Sequence, residues 1–411
     1  MAYLRSILFP LGPAFYSLGS LISIFFLICD GCAQVPIHKT TYDREIRPGA
    51  IQTEEYLPLL KGKRVGLVIN QTSLIHDTYL VDSLIRLKIN VVKLYAPEHG
   101  LRGKEDAGET IDSGIDAKTG LPVISLYGDK KKPTPADLEG VDIMIFDIQD
   151  VGARFYTYIS TLHYLMEALG AQGIPLIVLD RPNPNGHYVD GPVLDTLRFR
   201  SFVGMDPVPV VYGMTIGELG RMINGEKWIH STCSLTVIKC KNYDHTKFYE
   251  LPVKPSPNLP DIRSILLYPS LCFFEGTIVS LGRGTLKPFQ MLGNPLYPDS
   301  SFSFIPVSMQ GAQHPPLEGK KCFGIDLSSL NVDSLFQTRQ INLSLLITFY
   351  KALKNERFFN PSWFDKLSGG PGFREAIESS WSEAQIRASW RKGINAFNER
   401  RKLYLLYPDN E

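Results

Sequence analysis

Residues 142–160 read DIMIFDIQDVGARFYTYIS, and this stretch decides the predicted fold. The apolar run at 143–146 is typical of a strand buried on both faces, as the strands of parallel sheets are. It is followed at once by carboxylate, amide, guanidinium and phenol groups, on Asp147, Gln149, Asp150, Arg154 and Tyr156. In an open α/β sheet, ligands bind beyond the carboxyl ends of the strands. The stretch therefore predicts a buried strand that ends at the floor of a ligand site.

Short apolar runs alternate with helical segments on both sides of this stretch, from about residue 51 to residue 243. Further strands are predicted at 64–69, 91–95, 122–126, 175–179 and 234–239. This alternation is typical of a Rossmann-like α/β domain with a doubly wound parallel sheet. A helix predicted at about 155–170 has a polar face with Tyr156, Ser160, His163 and Glu167, which we expect to be solvated.

The sequence pattern changes beyond residue 243, where prolines cluster and the regular alternation of strands and helices stops. Apolar runs and a helical tail follow, and we predict a second, smaller α+β domain at 244–411. A chain of 411 residues is long enough for two domains.

The N-terminus predicts export. An apolar run at 14–28 is too short for a spanning helix and no second such run follows it, so residues 1–33 are typical of a secretory signal peptide. Cys32 is placed as a lipid-anchored cysteine would be, whereas cleavage after Ala33 would release a soluble protein. Both outcomes stay open, and we expect a periplasmic or envelope location. The polar residues 34–50 are predicted to form a tether.

The remaining cysteines and the charge balance exclude some classes of function. An oxidising compartment permits disulfides, but four buried thiols are equally consistent with Cys233, Cys240, Cys272 and Cys322. Basic residues number 43 and acidic residues 42, and no basic stripe predicts a nucleic-acid partner. With 11% aromatic residues, the chain suits uncharged or weakly charged polar ligands such as sugars.

Motifs for nucleotides and metals are missing from the sequence. The turn after the first strand, residues 70–76, contains no glycine, so the backbone could not approach a pyrophosphate as a dinucleotide fold requires. Neither a Walker motif nor a G-x-S-x-G nucleophile turn is present. Glu98 and His99 are adjacent and do not have the spacing of metal ligands on a helix. We therefore predict no cofactor and no metal.

Polar side chains recur where successive predicted strands end. This ring consists of Asn70, Gln71, Glu98, His99, Asp147, Asp150, Arg154, Asp180 and Asn183. Because the carboxyl ends of parallel strands meet at one edge of a sheet, we expect these groups to converge. Carboxyl groups in a partly desolvated cleft can act as general acid or nucleophile, and glycoside cleavage needs a protonated carboxyl and a second group across the anomeric carbon.

The predicted second domain contains two further candidate site residues, Glu275 and Arg283. Glu275 follows two phenylalanines, and burial there would raise its pKa, as a general acid requires. The alternative is an ordinary buried acid paired with Arg283.

Several long segments together resemble a known enzyme family. They are VGLVINQTSL, YAPEHGLRGKEDAGE, DIMIFDIQDVGARFYTYISTL, VLDRPNPNG, GPVLD, VKPSPNLP and FFEGTIVSLGRGT. Over about residues 50–407 the chain is similar to the exo-β-N-acetylmuramidases of the NamZ type. The resemblance implies a Rossmann-like domain and a smaller C-terminal domain with the active site in the cleft between them. It also implies hydrolytic release of N-acetylmuramic acid from the non-reducing end of peptidoglycan fragments.

The resemblance also suggests roles for individual residues. It implies that Glu98 is the catalytic glutamate, and Glu275 and Asp150 are candidates for a second catalytic group, which the substrate's 2-acetamido group could replace. Arg154 or Arg283 would meet the lactyl carboxylate of the sugar. The predicted substrate-binding residues are Asn70, Gln71, His99, Asp147, Gln149, Arg154, Tyr156, Asn183 and Arg283. The stereochemical outcome stays open, and the alternative function is a non-catalytic envelope protein that binds muropeptides or other glycans.

Overall fold

The computed structural model describes residues 45–101, 113–353 and 356–409. The predicted signal peptide, Cys32, Ala33 and most of the predicted tether lie outside the described residues. Within the three described ranges, no helix combines the length and hydropathy needed to cross a bilayer.

Residues 45–50, the last part of the predicted tether, pack against the folded chain. The backbone N–H of Arg47 donates to the carbonyl of Lys241 at 2.9 Å, and that of Gly49 donates to the carbonyl of Asp180 at 2.8 Å. Gly49 is buried, and a Cβ atom there would lie 2.3 Å from the carbonyl oxygen of Ile238. Residues 45–50, the end of the predicted tether, are therefore held by backbone hydrogen bonds to the sheet region.

The strands and helices of the described chain are short and alternate up to about residue 240. In chain order the strands are β1 (Val65–Ile69), β2 (Leu74–Ile75), β3 (Thr78–Tyr79), β4 (Val91–Ala96), β5 (Gly114–Ile115), β6 (Pro122–Ser125), β7 (Ile143–Asp147), β8 (Leu176–Leu179), β9 (Leu235–Ile238), β10 (Met291–Asn294), β11 (Ser303–Phe304) and β12 (Cys322–Asp326). The helices are α1 (Thr53–Leu60), α2 (Leu80–Arg86), α3 (Pro135–Leu138), α4 (Tyr158–Gln172), α5 (Ile216–Gly225), α6 (Ile262–Leu271), α7 (Val332–Thr338), α8 (Leu343–Leu353), α9 (Pro361–Ser368), α10 (Gly372–Glu378) and α11 (Glu383–Arg401).

The main sheet has the order β5-β6-β4-β1-β7-β8-β9. Only its edge strand β5 is antiparallel to its neighbour; all other pairs are parallel. From β1 the chain builds β4 and β6 on one side and then β7, β8 and β9 on the other, so the sheet is doubly wound. The predicted Rossmann-like fold is confirmed. Such a change of direction places the carboxyl ends of β1, β4 and β7 side by side, where these folds bind ligands.

Strand β7 shows why the sheet is covered on both faces. Its side chains alternate, so that Ile143 and Ile145 join a hydrophobic cluster with α1 and α2. Met144 and Phe146 point to the other face and join a larger cluster that includes α4 and α5. Burying a side chain of this size stabilises the fold by roughly 1.5–3 kcal/mol. The apolar run at 143–146 is therefore explained by burial on two sides.

The C-terminal part contains a three-stranded antiparallel sheet, β10-β12-β11, surrounded by helices, which agrees with the predicted α+β class. Its helices share the larger hydrophobic cluster with the first sheet. Phe155, for example, contacts the rings of Tyr268 and Phe273 edge-on, at centroid distances of 5.2 and 5.7 Å. The described residues belong to one compact unit, Arg44–Glu411, and the boundary at 243/244 stays a prediction.

One face of helix α4 was expected to be exposed to solvent, and the structure shows that part of it is buried. Tyr156, Ser160 and His163, predicted to lie on a solvated face, are buried. Nδ1 of His163 lies 2.8 Å from Oδ1 of Asp206, whose side chain is also buried. The residues between β8 and α5 therefore cover this face. Glu167 forms an ion pair with Lys132 at 2.9 Å.

Candidate active site

A cavity of about 790 Å³ lies beyond the carboxyl ends of β4 and β6. Residues from both predicted domains line it. They include Glu98, His99, Tyr127, Lys131, Phe155, Tyr156, Thr157, Phe202, Val203, Ser256, Asn258, Tyr268, Glu275, Arg283, Gln313, His314 and Trp363. Of the residues predicted to form the site, Glu98, His99, Tyr156, Glu275 and Arg283 are therefore brought together.

Glu98 is positioned by the turn that follows β4. The next two residues both adopt left-handed backbone conformations, with φ of 66° at His99 and 72° at Gly100. Such a conformation is uncommon for a residue with a side chain and is often found at functional sites. The hydroxyl of Thr157 donates to Oε2 of Glu98 at 2.5 Å, which holds the carboxyl group at the cavity wall.

Two further contacts hold the same turn in place. The hydroxyl of Tyr158 donates to the backbone carbonyl of Glu98 at 3.3 Å. Nε2 of the buried His99 lies 3.1 Å from Oγ of Ser256, which belongs to the proline-rich segment after β9. The turn that carries Glu98 is thus fixed from the start of α4 and from the C-terminal half of the chain.

Glu275 and Arg283, which come from the C-terminal half of the chain, form an ion pair at the cavity wall. Nη2 of Arg283 donates to Oε1 of Glu275 at 2.6 Å, and the two side chains are 19% and 22% exposed. Burial lowers the pKa of Arg283, but the charge of Glu275 and the hydrogen bond to it outweigh burial and leave that pKa above its ordinary value. The guanidinium also lies 5.0 Å from the ring centroid of Phe289. The paired acid that we considered as the alternative is present, and the catalytic role of Glu275 stays a prediction.

Six of the predicted binding residues do not line the cavity: Asn70, Gln71, Asp147, Gln149, Arg154 and Asn183. Asp147 is buried and accepts two hydrogen bonds from Arg181, at 2.6 and 2.9 Å. The side chains of Asn70, Gln149 and Asn183 bond to nearby backbone groups and to the hydroxyl of Thr72. Apart from the buried Nδ2 of Asn70, which has no hydrogen-bond partner among the described residues, these groups bond within the protein. Their placement does not support the expectation that they contact substrate.

Arg154 is also turned away from the cavity. Its guanidinium is buried and donates to three backbone carbonyls, those of Pro192, Val208 and Leu367, at 2.7–2.8 Å. Burial lowers its pKa to about 9, so the group remains charged at neutral pH. These three hydrogen bonds join segments distant in sequence, and the buried Nε has no hydrogen-bond partner in the described part of the chain. The placement therefore does not support the expectation that Arg154 meets a substrate carboxylate.

Gln71 lies in a second cavity, of about 420 Å³, which shares Ser256, Asn258 and Ala312 with the first. Its Nε2 donates to the carbonyl of Pro255 at 2.9 Å. The hydroxyl of Tyr156 donates to that same carbonyl at 2.7 Å. Both side chains therefore hold the proline-rich segment at the border of the two cavities.

Asp150, a candidate for the second catalytic group, lies outside the lining residues as well. Its Oδ2 accepts hydrogen bonds from the backbone N–H of Gly152, at 2.7 Å, and from the hydroxyl of Tyr212. Its Oδ1 is buried and has no hydrogen-bond partner. Burial raises the pKa of Asp150 from 3.8 to about 6, and the two hydrogen bonds only partly oppose that increase.

This pKa makes stability depend on pH in a definite direction. Between about pH 4 and pH 6 the folded protein holds the Asp150 proton while the unfolded chain has lost it, so the free energy of unfolding falls as pH rises. The Asp150→Asn variant lacks this loss, which amounts to about 3 kcal/mol for a shift of this size. We expect the variant to gain stability relative to wild type from pH 4 to 7, measured by urea unfolding. Asp180 also has a raised pKa, but its contribution to stability is the same in both proteins and cancels in the difference. A stability difference that is constant over this pH range would contradict the prediction.

Several aromatic and basic residues of the cavity wall were missed from the sequence. They include Tyr127, Lys131, Phe202, His314 and Trp363. Aromatic rings suit the apolar faces of sugars, since they offer large flat surfaces with polar edges. Tyr127 follows the predicted strand at 122–126, so the rule that selected Glu98 could also have found it. Phe202 and Trp363 carry no such signal.

Phe202 reaches the cavity from a tight turn. The backbone groups of Ser201 and Gly204 bond to each other in both directions, at 2.9 and 3.0 Å, so Phe202 and Val203 form the tip. The buried contact between His163 and Asp206 lies directly after this turn. Helix α4 thus holds the turn against the sheet.

The described residues hold no cluster of three histidine, cysteine, aspartate or glutamate side chains arranged for a metal ion. Cys233, Cys240, Cys272 and Cys322 are all buried free thiols, which answers the question that the sequence left open. Burial raises the pKa of the Cys272 thiol, the one that lines the cavity, well above its ordinary value.

Two family profiles match almost all of the described chain. The N-terminal profile of the exo-β-N-acetylmuramidase NamZ matches residues 65–263, and the C-terminal profile of the same family matches residues 266–407. The peptidoglycan β-N-acetylmuramidase NamZ of Bacillus subtilis (strain 168) is 41% identical over 374 residues, which cover 86% of this chain and 89% of the relative.

Two crystal structures share the fold. One DUF1343 family protein of Bacteroides fragilis NCTC 9343 superposes with a TM-score of 0.81 at 44% identity, covering 89% of this chain and all of that one. A second DUF1343 family protein of the same organism gives 0.77 at 29% identity, covering 90% of this chain and all of that one. The sequence and structural similarities thus extend over both halves of the chain.

Proposed function

The chain belongs to the NamZ family of exo-β-N-acetylmuramidases, and we propose that it is an exo-acting glycoside hydrolase of peptidoglycan fragments. Its product is N-acetylmuramic acid released from the non-reducing end. The observation that carries the proposal is the cavity in which Glu98 and Glu275 lie among aromatic side chains. Hydrolysis of a sugar linkage commonly uses a pair of carboxyl groups. Aromatic rings offer flat surfaces on which a sugar can pack.

Glu98 is the general acid of the proposed reaction. It donates its proton to the glycosidic oxygen as the bond from that oxygen to C1 breaks, and water supplies the hydroxyl that replaces it. The hydrogen bond from Thr157 and the fixed turn at His99 support this role, because a proton donor must be held in place. Glu275, kept in position by Arg283, or the substrate's own 2-acetamido group acts from the other side of the sugar.

Export fits this activity, because peptidoglycan lies outside the cytoplasmic membrane. The apolar run at 14–28 and the small residues after it support a signal peptide. We propose a periplasmic or envelope-associated enzyme, anchored through Cys32 or released after Ala33.

The identity of the sugar at the non-reducing end of the substrate provides the test of the proposed function. The disaccharide with N-acetylmuramic acid at its non-reducing end and N-acetylglucosamine at its reducing end is expected to be cleaved to two monosaccharides. The disaccharide with the reversed order has the same composition and is expected to remain intact. Both reactions can be followed by chromatography with mass detection. Cleavage of the reversed disaccharide, or of neither, contradicts the proposal.

A further inference from the structure

Three consecutive lysines follow β6, and only the middle one lines the cavity. Nζ of Lys130 lies 2.9 Å from Oδ1 of Asp137, and Nζ of Lys132 lies 2.9 Å from Oε2 of Glu167. Lys131 lies at the cavity wall, and no carboxylate of the described chain is within ion-pair distance of it. Acids thus neutralise the charges on both sides, and none of the described acids neutralises the charge of Lys131.

Aromatic side chains fix the position of Lys131. Its Nζ lies 5.5 Å from the ring centroid of Phe202, a distance at which a cation is attracted to an aromatic face. That ring stacks on Tyr164, at 6.3 Å and 18° between the ring planes, and lies 5.7 Å from Tyr127. The ammonium group therefore lies beside the cavity, against the ring of Phe202.

The two arginines that were predicted to meet the lactyl carboxylate have other partners. Arg283, which also lines the cavity, is paired with Glu275 at 2.6 Å. Arg154 is buried away from the cavity and bonded to three backbone carbonyls. Of the lysines and arginines that line the described cavity, Lys131 alone has a charge with no anionic partner.

We propose that Lys131 binds the lactyl carboxylate of N-acetylmuramic acid and gives the enzyme its preference for this sugar. The inference rests on the proposed function, because it assigns a partner within that same cavity. The lactyl carboxylate is the charged group that distinguishes N-acetylmuramic acid from N-acetylglucosamine. A hydrogen bond between charged groups is stronger than one between neutral groups, and it gives a neutral sugar no comparable gain.

The test measures binding and so does not depend on turnover. Wild type, Lys131→Met and the matched control Lys132→Met are titrated calorimetrically with N-acetylmuramic acid and with its lactyl methyl ester. Wild type and Lys132→Met are expected to bind the acid about 10- to 100-fold more tightly than the ester, the range typical of hydrogen bonds to charged groups. Lys131→Met is expected to lose this preference by weaker binding of the acid, with binding of the ester unchanged.

An unchanged preference for the acid in Lys131→Met overturns the inference. The variant Lys131→Arg keeps the charge and is expected to keep the preference, and this guards against a general effect of substitution. Melting temperatures of all variants establish that they are folded, which is expected because Lys131 lies on a partly exposed loop. If wild type binds the acid but cleaves neither disaccharide, the proposed hydrolase fails and the role of Lys131 stands.

Discussion

Replacing Glu98 with glutamine is expected to lower kcat for hydrolysis of an aryl β-N-acetylmuramide by about 10²- to 10⁴-fold, the range for loss of a general acid. Glutamine has nearly the same shape and can still accept the hydrogen bond from Thr157, at 2.5 Å in the wild type. It has no acidic proton for the glycosidic oxygen. Binding of N-acetylmuramic acid is therefore expected to persist, as measured by calorimetry.

The leaving group provides a control for this first prediction. A dinitrophenolate departs without protonation, so Glu98→Gln is expected to lose much less activity on the dinitrophenyl glycoside than on a methylumbelliferyl glycoside. Equal losses on both substrates would show that Glu98 has another role, such as activating water. Thr157→Val leaves the carboxyl group in place and is expected to cause a smaller loss. If the wild type binds the sugar and turns over neither glycoside, the chain is the glycan-binding protein of the alternative hypothesis.

Replacing Asp147 with alanine is expected to lower the free energy of unfolding by about 3–5 kcal/mol, the cost of breaking a buried ion pair by removing one partner. The carboxylate lies at the end of β7 and accepts two hydrogen bonds from Arg181, which is itself buried. Alanine leaves the guanidinium charged in a place that water does not reach. The change can be measured by urea unfolding at pH 7.

The other end of β7 supplies the matched control for this second prediction. Asp142, directly before the strand, pairs with Arg64 at 2.8 Å, and both side chains are open to solvent. Asp142→Ala is expected to change stability far less, since solvent screens an exposed pair. Removing both buried partners together, in Asp147→Leu with Arg181→Met, is expected to recover much of the loss. Equal losses in the two aspartate variants would show that burial does not determine the cost.

Much of the fold could be predicted because the central strands of the parallel sheet, β1, β7 and β8, are buried on both faces. The alternation of Ile143 and Met144 toward opposite clusters leaves a continuous apolar run, and helical segments lie between such runs. The C-terminal part was predicted only as a class. Its strands are short, and β10 and β12 pair across an insertion, so they leave little pattern in the sequence.

The candidate site was predicted in part, and the errors have one cause. The position of a polar residue after a strand indicates the edge of the sheet but not what the side chain faces. Glu98 faces the cavity, whereas Asp147 faces Arg181, a partner that lies after the neighbouring strand β8. Lys131 was missed because its neighbours Lys130 and Lys132 give the segment the look of a solvated surface loop. The structure distinguishes Lys131 because Lys130 and Lys132 form ion pairs with Asp137 and Glu167.

The aromatic contacts of Phe155 have a consequence for the order in which the chain can fold. Its partners Tyr268 and Phe273 lie in the second half of the sequence, as do the helices that share its cluster. A chain that emerges or is translocated from its N-terminus therefore completes the sheet and the helices α4 and α5 while Phe155 and other side chains that contact the C-terminal half are still exposed. Such surfaces promote aggregation, so protection by chaperones matters most during this interval. The cavity wall is complete only once α9, which contributes Trp363, has been added.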